Sequence, residues 1–119
     1  MKKIIFYALT CITFNACVQV DCNKLQQNFK SYQEAKSKIS NTKFTITETV
    51  NTSRSSWVRG ASFYSCDKKY GYFIIQTNKG NYIYKNLPIN IWYGFKNAGS
   101  FGSYYDRNIK KRYQLYLSN

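Results

Sequence analysis

The sequence predicts an α+β domain in which one small antiparallel sheet, of about four strands, carries helices packed on one face. Three observations lead there. Residues 43–50 alternate in polarity with a period of two. Segments rich in aromatic and β-branched residues at 72–77 and 82–85 flank the turn-forming run Asn78-Lys79-Gly80-Asn81. Apolar side chains between 23 and 40 recur at helical spacing.

The elements follow in chain order. Leu25, Phe29, Tyr32, Ala35 and Ile39 stand at i, i+4, i+7, i+10 and i+14, with Lys24, Lys30, Lys36 and Lys38 mainly off that stripe. This spacing predicts an amphipathic helix over 23–40 that docks its apolar face on the rest of the domain. In KFTITETV (43–50), Phe44, Ile46 and Val50 face one way and Thr45, Thr47 and Thr49 the other, as in a half-buried strand. A second strand is expected over 57–64, with Gly60 marking a bulge, and a turn over 66–69. The hairpin at 72–85 comes next. Pro88 suits the first position of a helix over 89–98 closed by Gly99, burying Trp92 and Phe95. Ser103 followed three residues later by Asp106 predicts the cap of a last helix running to about Arg112.

The amino terminus reads as a targeting segment. Lys2 and Lys3 precede an apolar run to Ala16, too short for a bilayer-spanning helix of about 20 residues. Phe14-Asn15-Ala16-Cys17 resembles a degenerate bacterial lipobox, which makes Cys17 the candidate lipidated residue and 1–16 the signal peptide. Residues 17–50 then form a helix-plus-strand extension, and 51–119 the main domain. Export would leave Cys22 and Cys66 as an even pair in an oxidising compartment, either as a disulfide or as two thiols.

Charge dominates the composition. Eighteen Lys or Arg face five Asp or Glu, for a net charge of +13, and aromatic residues make up 18% of the chain. That aromatic content excludes a disordered polyelectrolyte. The absence of His removes Ser-His and Cys-His nucleophile systems and His-ligated zinc. The acids Asp21, Glu34, Glu48, Asp67 and Asp106 show no metal-ligand spacing, so no catalytic residues, metal or cofactor are expected. Residues 51–119 concentrate the excess, with eleven basic residues and two acids. Lys outnumbers Arg fourteen to four, a bias that A/T-rich codon usage also produces.

Ser55-Ser56 opens a strand, and Gly80-x-Tyr82-x-Tyr84 and Pro88-x-x-Ile91-Trp92 follow it. Ala98-x-Ser100-x-Gly102 and Tyr104-Tyr105-Asp106-x-x-Ile109-Lys110-x-x-Tyr113 complete the series. In the order and spacing of these pieces, residues 55–113 resemble the KTSC domain, a short bacterial module also found at the end of some lysyl-tRNA synthetases. Tyr105-Asp106 stands where the family usually has Phe-Asn, and Lys110 where it usually has Arg. The resemblance implies no established enzymatic activity, and nucleic-acid binding only through the synthetase context.

The candidate binding residues are basic, aromatic or at turns. Tyr82 and Tyr84 share one strand face and either stack on unpaired bases or form core. Arg107, Lys110, Lys111 and Arg112 form the densest basic cluster, suited to phosphate and equally to complementing a helix C-terminus. Arg59 is a further basic candidate. Ser100 and Gly102 frame either an anion site before the last helix or a plain interhelical turn. The expected function is therefore a non-enzymatic binding module of the bacterial cell envelope, lipid-anchored or secreted. Its partner would be an anionic macromolecule or membrane surface, with nucleic acid among the options. The alternatives are an intracellular RNA-binding protein and a protein-interaction or inhibitory module; the sequence does not set an oligomeric state.

Overall fold

The fold is organised by the strand Tyr70–Thr77, whose run YFII offers apolar side chains to both sides. Period-two alternation sends Phe73 and Ile75 to one face and Tyr72 and Ile74 to the other, and all four are buried. Both faces of the sheet therefore need cover. The computed structural model describes residues 20–119. The expected signal segment 1–16 and Cys17 lie outside those residues.

Five strands form the sheet: β3 (Ile46–Val50), β4 (Val58–Ser65), β5 (Tyr70–Thr77), β6 (Asn81–Pro88) and β7 (Leu115–Ser118), antiparallel and in that spatial order. A separate two-stranded parallel ribbon joins β1 (Val20–Asp21) to β2 (Thr42–Lys43). The helices are α1 (Tyr32–Ser40), α2 (Ile89–Lys96) and α3 (Phe101–Asn108). Strand β7 is the fifth strand that the sequence did not announce. Its four residues follow a charged run and become a strand only by pairing with β6, Ile83 opposite Leu117.

Helices cover both faces, not one. On the first face α2 and α3 bring Trp92, Phe95, Phe101 and Tyr105 onto Phe63, Phe73, Ile75 and Tyr84. Trp92 stacks on Phe63 at 5.4 Å, and Phe73 meets Tyr84, Trp92, Phe95 and Tyr105 within 6.4 Å. On the second face α1 lays Tyr32, Ala35 and Ile39 over Tyr72, Ile74 and Ile83. The predicted apolar stripe over 23–40 thus reaches one cluster, but only its second half is helical. Ser31 caps α1, its Oγ accepting from the Glu34 N–H, while Glu34 accepts from the Lys30 N–H. Leu25 and Phe29 reach the same cluster from a non-helical strap.

Two bulges keep the core register. In β4 the extra residue is Arg59, between Val58 and Gly60, so Val58, Ala61 and Phe63 all reach the first core. In β6 the irregularity at Lys85-Asn86 lets Leu87 follow Tyr84 onto the same face, and Asn86 takes φ 60°, which Asn tolerates better than most residues. The strand expected over 43–50 is interrupted at Phe44-Thr45. Ile46 and Val50 pack on the first core, whereas Phe44 turns to the second and sits against Tyr64 and Tyr72. Pro88 is the N-cap of α2, one place earlier than expected, and the helix ends at Lys96.

Two ties hold outlying pieces to this frame. Cys22 and Cys66 are disulfide-bonded, Cα atoms 5.9 Å apart, joining the 3-10 turn Cys22–Lys24 to the β4–β5 turn. Glu48 on β3 accepts from Trp92 Nε1 at 2.8 Å and pairs with Lys96 Nζ at 2.7 Å. These donors hold the Glu48 carboxyl below the usual glutamate range.

The disulfide closes a loop spanning 44 residues. Replacing Cys22 and Cys66 by Ser should cost roughly 2–4 kcal/mol, read as a lowered midpoint in urea unfolding; an unchanged midpoint would contradict this. A depressed Glu48 carboxyl contributes stability above its unfolded pKa, and this contribution fades as pH falls through the folded value. The melting temperature of Glu48→Gln should accordingly fall less than that of the parent between pH 5 and pH 3.

Candidate functional site

A cleft of about 480 Å³ beside the first core brings polar groups together with aromatic side chains. Its walls come from four separate stretches: Ser56-Trp57 before β4, the β5–β6 turn at Thr77-Asn78-Lys79, Tyr82 on β6, and Tyr105, Asp106 and Lys110 on and after α3. The volume lies within the range of about 300–1,000 Å³ that holds a small ligand.

Each wall has a local cause. Thr77 Oγ1 donates to the Gly80 carbonyl and accepts from the Lys79 and Gly80 N–H groups, which fixes the tight turn and leaves Lys79 exposed at its tip. Ser55 Oγ accepts from the Trp57 and Val58 N–H groups and so sets the entry into β4. Trp57 meets Tyr105 edge-on, centroids 6.2 Å apart and planes inclined by 63°. Beneath it, the Tyr84 and Tyr105 hydroxyls lie 2.7 Å apart in the buried core. Burial raises both phenols above the ordinary tyrosine range, most of all Tyr105, so both are neutral across ordinary pH.

Around this aromatic floor stand two ammonium groups, Lys79 and Lys110, and one carboxylate, Asp106, all exposed. Among the described residues none of the three forms an ion pair; the salt bridge there joins Glu48 and Lys96 instead. Asp106 and Lys110 have the i, i+4 spacing that pairs on a helix, but α3 stops at Asn108, short of the expected end at Arg112.

The sequence candidates divide between site and scaffold. Tyr82 is half-buried in the cleft, and Lys110 lines it. Tyr84 is core. Arg59 is the exposed bulge residue of β4 and borders a different depression, with Asn51 and Thr52. Arg107, Lys111 and Arg112 are exposed outside the cleft, and the Arg107 carbonyl accepts from Arg112 Nε at 2.8 Å. Ser100, rather than the expected Ser103, caps α3, its Oγ accepting from the Ser103 N–H. Gly102 is buried against the Trp57 indole, where a Cβ would overlap the ring. Both residues therefore serve the interhelical turn, which Arg54 also braces by donating to the Ala98 and Gly99 carbonyls and covering the Phe101 ring at 3.9 Å.

Residues 68–113 match the KTSC domain. The KTSC match begins at Lys68, later than the resemblance drawn from Ser55, and takes in the hairpin turn, Tyr82, Tyr105, Asp106 and Lys110. Ser56 and Trp57 lie outside it and complete the cleft from β4. No curated protein and no solved structure matches the chain.

Of the cleft residues, Tyr82 and Lys110 are sequence candidates, whereas Trp57, Lys79, Tyr105 and Asp106 are among those the sequence did not single out. Tyr105-Asp106 belonged to the family-like run, and Lys79 to the turn signal; what neither could show is their meeting place. Asp21, Cys22 and Cys66 also lie close together, but the two sulfurs are bonded to each other and offer no thiolate to a metal.

Gly102 and Gly99 make an internal comparison. Gly102→Ala should destabilise the domain by about 1–3 kcal/mol and shift Trp57 fluorescence. Gly99→Ala should have little effect, because nothing lies within 4 Å of the added Cβ. Equal behaviour of the two variants in thermal unfolding would refute the Trp57 packing.

Proposed function

We propose that this protein is a non-catalytic, KTSC-like binding module of the cell envelope that holds an anionic partner in the Trp57–Lys110 cleft. The observation that carries the reading is the pair of ammonium groups, Lys79 and Lys110, without an ion-pair partner among the described residues, at the rim of a floor formed by Trp57, Tyr82 and Tyr105. Aromatic faces supply contact area at low entropy cost, and the ammonium groups supply attraction that needs no covalent chemistry. The domain's excess of eleven basic residues over two acids adds long-range steering toward anions.

The Cys22–Cys66 disulfide supports export, since such bonds persist in oxidising compartments and are rare in the cytosol. It weighs against an intracellular RNA-binding role. The signal-like start with Cys17 at the lipobox position supports anchoring on the outer side of a membrane.

Binding of inorganic polyphosphate, followed by Trp fluorescence over a range of salt concentrations, tests the cleft. Affinity should fall steeply with salt, and Lys79→Gln or Lys110→Gln should each lower the log–log slope by about one. A flat salt response overturns the anion reading. In the same expressing cells, palmitate label should enter the parent chain and not Cys17→Ala; soluble cytoplasmic protein with Met1 intact overturns the envelope assignment.

A further inference from the structure

We infer that the ligand of the Trp57–Lys110 cleft is an acidic saccharide, a chain of hydroxyl-rich rings bearing carboxylate groups. This rests on the anion-binding reading above and narrows it by the cleft's third charged group, Asp106.

An ionised carboxylate only accepts hydrogen bonds. Asp106 stands in the cleft wall with no ion-pair partner among the described residues. A ligand that covers this exposed carboxylate and displaces its water must bring O–H or N–H donors to face it. Phosphodiester groups bring acceptors alone, and they repel a carboxylate. Sugar hydroxyls donate to Asp106 and accept from Lys79, Lys110 and the Asn78 amide, all of which border the same space. The net formal charge of the three groups is +1, two Lys against one Asp, which matches a unit carrying one carboxylate among several hydroxyls.

The aromatic geometry agrees. Trp57 and Tyr105 meet edge-on, inclined by 63°, so they do not form a flat platform for successive bases. Tyr105 is buried, so the half-buried Trp57 and Tyr82 supply the apolar surface, suited to the C–H face of a single ring, with polar groups around it. Thr77 is excluded from the recognition set because its hydroxyl is committed to the turn.

The test uses the full disulfide-bonded chain and three probes: tetragalacturonate, a neutral maltotetraose and an octathymidylate, each followed by isothermal titration and by the Trp57 indole N–H resonance. Tetragalacturonate should bind and shift Trp57, and Asp106→Asn should weaken it by about tenfold or more, the loss expected for a hydrogen bond to a charged group. Asp106 is exposed, so this variant should melt with the parent. Tighter binding of octathymidylate, strengthened by Asp106→Asn, would overturn the saccharide assignment and leave the anion reading standing. Equal binding of maltotetraose, or no binding of either anion, would overturn both.

Discussion

Burial of β5 on both faces is the constraint from which the rest of this structure follows. A central strand with Phe73 and Ile75 on one side and Tyr72 and Ile74 on the other is stable only if two layers cover it. At about 25 cal/mol per Å² of apolar surface, leaving either face open would remove several kcal/mol from a domain this small. The chain meets the demand with two unequal solutions. The first face receives the aromatic helices α2 and α3 directly from the sequence that follows β6. The second receives the amino-terminal strap and α1, which arrive from before the sheet and are fixed by the Cys22–Cys66 bond.

The cleft is a by-product of the first solution. Tyr105 of α3 meets Tyr84 of β6 in the core, where their hydroxyls pair. Beyond that point the hairpin turn carries Lys79, the entry to β4 carries Trp57, and the chain leaving α3 carries Lys110. Because α3 ends at Asn108, Lys110 departs from the helical path and its charge remains unpaired beside Asp106 among the described residues. The same packing that satisfies the core therefore leaves polar groups converging over an aromatic wall, which is the material of a binding site.

Charge had a smaller part in the architecture than its weight in the composition suggests. The one ion pair of the described residues, Lys96 with Glu48, braces edge strand β3 against α2 while Glu48 also holds the Trp92 indole. Arg54 serves carbonyl groups and an aromatic ring. The Lys111-Arg112 part of the basic cluster stays exposed outside the cleft, where Arg112 Nε satisfies the Arg107 carbonyl and solvent takes the remaining charge.

The sequence by itself determined the α+β class, the hairpin about Asn78–Asn81, the bulge near Gly60 and the helix opened by Pro88, because each rests on local chemistry: turn propensity, period-two alternation, a fixed φ. It also contained signals that went unread. Ser31-x-x-Glu34 marks the true start of α1, and the uninterrupted YFII run marks a strand covered on both sides. Only the tertiary structure decided which side of the sheet each apolar residue joins. Phe44 and Ile46 look equivalent by alternation, yet a break at Thr45 sends them to opposite cores. Likewise Tyr82 and Tyr84 share a strand face, and position along the sheet makes one core and the other a cleft wall. Bulges, strand ends and the meeting of Trp57 with Asp106 depend on contacts between residues distant in sequence, and such contacts leave no periodic trace in the chain that makes them.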